Sequence, residues 1–137
     1  MLHLSAYIPE MIELRRQIHH HPEIAWTEFL TTQTIVNRVR ELGFKTIVGK
    51  ALFDEEHALG REPKVIEAAM QRSLELGMNP TLLKELQGYT GCMAVWETGR
   101  PGPVTALRFD IDCVNVEENH DASNEANREG FDSECAG

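Results

Sequence analysis

Apolar and polar positions follow distinct rhythms along the chain. Tyr7, Met11, Leu14 and Ile18 recur at spacings of four, three and four, which marks one face of a helix. Pro9 suits the first turn of that helix, where its missing N–H needs no partner. Pro22 predicts its end, because the residue before a proline avoids the helical region. A second helix is predicted from Thr27, an N-cap residue, with Phe29, Thr32, Ile35, Val36, Val39 and Leu42 as its buried face. Gly43 stands where a left-handed C-terminal cap is expected. The next residues, FKTIV, are rich in β-formers and predict a short strand.

Residues 49 to 90 break this rhythm and read as a helical insertion between strands. Val65, Ile66, Ala69, Met70 and Leu74 predict one amphipathic helix. Asn79 and Pro80 supply an N-cap and a first-turn proline for a second, TLLKELQ, which Gly88 closes. Two strands are then expected, CMAVWET and VTALRFDID, joined through the turn formers GRPGP into an antiparallel hairpin. In the second strand Leu107, Phe109 and Ile111 share one side, and Arg108, Asp110 and Asp112 share the other. Beyond Asp112 the patterning fades, and ENHDASNEANREG reads as loop.

Composition narrows the partners. The net charge of −9 argues against nucleic acid, because a binder needs Lys and Arg to displace counterions from phosphates. The acidity is concentrated late: residues 110 to 137 hold nine Asp and Glu against Arg128, which predicts a solvated acidic loop. No apolar run approaches the roughly 20 residues of a membrane span. Cys92, Cys113 and Cys135 are odd in number and form no CxxC pair, so reduced thiols and a cytoplasmic setting are expected.

Two groups of residues invite chemistry. The first is IHHHPE. Consecutive helical residues diverge by about 100°, so His19, His20 and His21 are not expected to converge on one ion; one is expected to hydrogen-bond at the helix end and the others to be solvated. The second is the charged side of the last strand. Under a covered sheet, Arg108, Asp110 and Asp112 would be partly buried and would have to be paired. They then read either as a structural ion pair or as an outer shell around a metal or substrate. Cys135 is a candidate thiolate, but it has no partner nearby in sequence and reads as inert. No GxSxG elbow and no phosphate loop is present.

Taken together, ELRRQIHHHPEIAWTEFLTT, ELGF and GCMAVWETGRPGPVTALRFDID resemble the start of the amidohydrolase branch of the M20 metallopeptidases. That family typically opens with R-x-x-H-x-H-P-E-x-x-x-x-E, matched here by Arg15 or Arg16, His19, His21, Pro22, Glu23 and Glu28. Its later strand, R-x-D-x-D-A-L, is matched by Arg108, Asp110 and Asp112, with Cys113-Val114 replacing the usual Ala-Leu. The resemblance implies an α/β fold: the N-terminal part of a zinc-exopeptidase-like α/β/α domain. Two N-terminal helices, a helical insertion over 49–90, a partial mixed sheet and an acidic loop over 113–137 would make up this incomplete portion, with the smaller lid domain outside it. It implies hydrolysis of an N-acyl amino acid such as aminobenzoyl-glutamate by two divalent ions, zinc or manganese, within a homodimer or with a partner subunit. In that family a segment like GFDSECAG leads into H-x-C-G-H-D-x-H, where the first metal ligands lie. No metal ligand and no general base therefore carries over to residues 1–137. Arg108 stands where sister branches place a ligand histidine, a role closed to a guanidinium. Arg108, Asp110 and Asp112 are left as supporting or structural residues, and the chain alone is expected to be inactive, the alternative being a non-enzymatic interaction or complementation fragment.

Overall fold

The structure, a computed structural model, describes residues 4–134. They fall into two compact units: residues 4–24 with 113–134, and Ala25–Asp112.

The second unit is built around an apolar core. Helix α2 (Phe29–Glu41) ends as its sequence demands. Gly43 takes a φ of +87°, its N–H donates to the Arg40 carbonyl, and the N–H of Phe44 donates to Val39. These two bonds are the paired closure that a left-handed cap permits. Strand β1 (Lys45–Val48) follows at once. Helices α3 (Pro63–Glu75) and α4 (Pro80–Leu86) then intervene before strand β2 (Cys92–Val95). The Asn79 side chain caps α4 by accepting from the N–H groups of Thr81 and Leu82 at 2.8 and 3.3 Å. Phe29 and Val36 of α2, Val48 of β1, Ile66 of α3 and Leu82, Leu83 and Leu86 of α4 form one buried cluster with Met78. Of the predicted α2 face, Phe29, Thr32 and Val36 are buried, whereas Leu42 at the helix end is exposed.

Gly49, which follows β1, shows how closely this unit is packed. A Cβ there would lie 2.6 Å from the carbonyl oxygens of both Glu85 and Leu86, and its φ is +66°. Only glycine lets the chain leave the strand against the backbone of α4.

The sheet differs from expectation. β2 pairs antiparallel with β1, from Lys45 opposite Val95 to Val48 opposite Cys92, rather than with the segment after GRPGP. Residues 104–112 form no ladder, and Val104, Leu107 and Phe109 are 97%, 77% and 76% exposed. Pro101 and Pro103 remove two backbone donors where the return strand would have to begin.

The first unit has little apolar interior. Helix α1 (Ile8–His20) carries Pro9 in its first turn but buries none of its residues. The predicted stripe is half-buried at Leu14 and Ile18 and exposed at Tyr7 and Met11. Ile24 forms an isolated parallel bridge with Cys113, and the Cys113 N–H donates to the Glu23 carbonyl at 2.8 Å. Where a loop is expected, helix α5 (Glu125–Glu129) forms, capped by the Asn124 side chain and closed by Gly130 at a φ of +73°.

Candidate functional site

The end of α1 carries the densest chemistry among the described residues. Helical geometry stops at His20. His21, held out of the helical region ahead of Pro22, has φ −116° and ψ 70°. The ring of His21 therefore does not continue around the helix. It lies beside that of His20, with centroids 4.6 Å apart. Both rings face one carboxylate. His20 Nε2 is 3.3 Å from Glu134 Oε1, and His21 Nδ1 is 2.9 Å from Glu134 Oε2. The expectation that three consecutive histidines diverge is corrected for this pair, because the helix ends between them. It holds for His19, whose Nε2 turns instead to Glu118 at 3.1 and 3.2 Å.

The late acidic residues hold the rest of this end in place. Glu118 accepts from the Ser133 N–H at 2.6 Å, from Asn124 Nδ2 at 3.1 Å and from His19. These bonds, the one from the Ser133 backbone foremost, hold its carboxyl below the ordinary range. His20 Nδ1 donates to the Asp132 carbonyl at 2.6 Å, and His120 Nδ1 approaches Asp132 Oδ2 at 3.1 Å. Glu134 is itself fixed, since its N–H donates to the His20 carbonyl at 2.9 Å. Arg16 pairs with Glu129 and lies 4.4 Å over the ring of Phe131.

Sequence reasoning missed Glu118, Asp132 and Glu134 as partners of the histidines. They lie about a hundred residues away, where no spacing rule reaches. The available signal was complementarity between a histidine triplet and a segment rich in acids.

Arg108, Asp110 and Asp112 are not drawn into this group. Arg108 Nη2 donates to Asp110 Oδ1 at 2.6 Å, with the two side chains 87% and 69% exposed, and Asp112 is exposed as well. The covered sheet that would bury them is missing because residues 104–112 form no strand. Cys135 lies outside the described residues. Cys92 and Cys113 are in no disulfide, and burial pushes the Cys92 thiol up, away from the reactive thiolate.

In the second unit, Arg61 stacks 3.7 Å from the Tyr89 ring centroid and 4.8 Å from that of Trp26, and donates to the Gly88 carbonyl at 2.9 Å. Phe53 packs on both rings. Trp26 takes a φ of +69°, held by its indole N–H donating to the Leu59 carbonyl. The Tyr89 hydroxyl donates to Glu55, which also pairs with Lys50. This group fastens the helical insertion to the turn before α2.

The pair of divalent ions implied by the resemblance can be tested against these donors. Among the described residues, His20, His21 and Glu134 bring three ligand atoms within 4.8 Å of one another. Three donors serve one ion. A two-metal centre needs ligands for both ions, about 3.5–4 Å apart. The described residues do not furnish such a centre.

Over most of its length the chain is similar to hydrolases named for aminobenzoyl-glutamate and indole-3-acetyl-aspartic acid, and more distantly to carboxypeptidases. It is 38% identical over 125 residues to a p-aminobenzoyl-glutamate hydrolase subunit homolog of Haemophilus influenzae, covering 90% of this chain and 30% of that protein. It is 33% identical over 133 residues to the indole-3-acetyl-aspartic acid hydrolase of Enterobacter agglomerans, covering 96% of this chain and 30% of the relative. The crystal structure of an aminobenzoyl-glutamate utilization protein from Klebsiella pneumoniae superposes with a TM-score of 0.76 at 31% identity, over 81% of this chain and 28% of that one. The chain thus spans under a third of the length of the curated relatives it matches. No family model matches it. No helix among the described residues is long and apolar enough to cross a membrane.

Proposed function

We propose that this chain is part of a metal-dependent amidohydrolase that cleaves the amide bond of an N-acyl amino acid, with aminobenzoyl-glutamate as the favoured substrate. The observation that carries the reading is the pair of substrates named by its relatives. Aminobenzoyl-glutamate and indole-3-acetyl-aspartate both join an aromatic acyl group to an acidic amino acid through one amide. That shared linkage defines the substrate class. Amide hydrolysis of this kind draws on divalent ions to polarise the carbonyl and activate water. Among the described residues no donor set suits two such ions, which fits a chain that needs further residues for turnover. Two relatives are named for one subunit of a hydrolase, which favours assembly with a partner subunit. A cytoplasmic setting fits the reduced thiols.

Incubating the purified chain with aminobenzoyl-glutamate and zinc or manganese tests this. The expected outcome is no release of aminobenzoate. Turnover that follows metal and survives repurification would refute inactivity while supporting the substrate.

A second reading, complementation by a separate polypeptide, is favoured by one observation. Val104, Leu107, Phe109, Val114 and Val116 are all at least 66% exposed within a short stretch. Such a run is suited to pairing with added strands. If it is correct, co-expression with the remaining two-thirds of a relative restores hydrolysis that neither part shows alone.

A further inference from the structure

We propose that His20, His21 and Glu134 form a binding site for a single zinc-type divalent ion, which ties the end of α1 to the acidic segment before residue 135. One His20 tautomer is fixed by its surroundings. A carbonyl oxygen only accepts, so the 2.6 Å contact of His20 Nδ1 with the Asp132 carbonyl places a proton on Nδ1. In the neutral ring, Nε2 then carries a lone pair, and it points at Glu134 Oε1 from 3.3 Å. Two electron-rich atoms face each other, and a cation must lie between them: a proton or a metal. Fixing a histidine by its other nitrogen on a backbone carbonyl is the arrangement by which proteins orient ligand imidazoles.

His21 completes the geometry from the other carboxylate oxygen, with Nδ1 at 2.9 Å from Oε2. Around a tetrahedral ion with bonds of about 2.0–2.2 Å, neighbouring donors stand roughly 3.3 Å apart; the three ligand atoms here lie within 4.8 Å of one another, so the exposed side chains need only draw together to close on an ion. The site is also braced from the backbone, because the Glu134 N–H donates to the His20 carbonyl. Two imidazole nitrogens and one carboxylate oxygen select zinc, cobalt or nickel over magnesium or calcium, which prefer all-oxygen shells. A fourth position remains for water.

The test is titration of the 137-residue chain with Co(II), followed by visible absorption and calorimetry, then displacement by Zn(II). The expected result is one ion per chain with a tetrahedral nitrogen and oxygen spectrum. Glu134→Gln and His21→Ala should each weaken binding about tenfold or more. His19→Ala, which alters a neighbouring ring directed at Glu118, should leave the affinity unchanged. Thermal unfolding of each variant without metal reports whether it folds, and His21→Ala decides if Glu134→Gln does not. No saturable binding, a thiolate charge-transfer band from the cysteines, or equal affinity in folded variants and parent would overturn the proposal. It does not rest on the amidohydrolase reading: metal binding by an inactive chain and turnover by a chain with no such site are separate outcomes.

Discussion

The two units are held by different forces. Ala25–Asp112 closes over side chains from three helices and a strand, with Phe29, Val36 and Leu86 fully buried. Residues 4–24 with 113–134 bury Ala126 as their one hydrophobic side chain among the described residues, and rely on histidine–carboxylate contacts, a capped short helix and an arginine on a phenylalanine ring. Burial is non-directional and tolerates salt, whereas exposed ion pairs are screened and lose much of their worth to hydration. A unit of the first kind draws its stability from its apolar core. A unit of the second kind depends more strongly on pH and salt.

The sharpest way to break this comparison is to open the apolar core. Phe29→Ala should cost about 3–5 kcal/mol, from lost transfer energy plus a cavity. Chemical denaturation should show it, and hydrogen exchange should place the loss in Ala25–Asp112. A smaller effect of about 2–4 kcal/mol is expected for Gly49→Ala, which combines a left-handed backbone with a clash against α4. A Gly49→Ala midpoint equal to the parent's would mean that β1 does not pack as described.

Acid should act on the other unit. The folded carboxyl of Glu118 titrates below its ordinary value of 4.5, so it stabilises the fold above that pH. The contribution falls away as pH drops through the lower, folded value and the carboxylate is protonated. Protection of the Ser133 amide, whose N–H Glu118 accepts, should therefore fall relative to intrinsic exchange as pH drops below about 4.5. Protection at Gly91, whose N–H donates to the Thr32 hydroxyl, should not fall with it. Equal acid sensitivity at both amides would erase the distinction. The smallest effect belongs to Arg108→Ala. It removes an exposed pair and should move the thermal midpoint by no more than about 2 °C.

The same contrast explains what the sequence made legible. Helix α2 with its Gly43 cap, the strand at FKTIV and the Asn79–Pro80 helix start all follow from local chemistry joined to an apolar face. The hairpin failed because strand pairing is a non-local choice: β2 met β1 across some forty intervening residues, not the nearer VTALRFDID. The stripe on α1 predicts its helix but not its exposure, since periodicity does not say whether anything covers it. The histidine pair converges because the helix ends one residue short of His21, the stop that Pro22 imposes. Glu134 was out of reach, because charge partners this distant leave no periodic trace.

The most direct test of the account is a chimaera. Residues 4–134 would replace the matching segment of the Haemophilus influenzae relative, and the product would be assayed for cleavage of aminobenzoyl-glutamate. The account predicts a folded protein that releases aminobenzoate in a metal-dependent way. A chimaera that folds cooperatively, binds its metals and yet leaves the amide intact would contradict it.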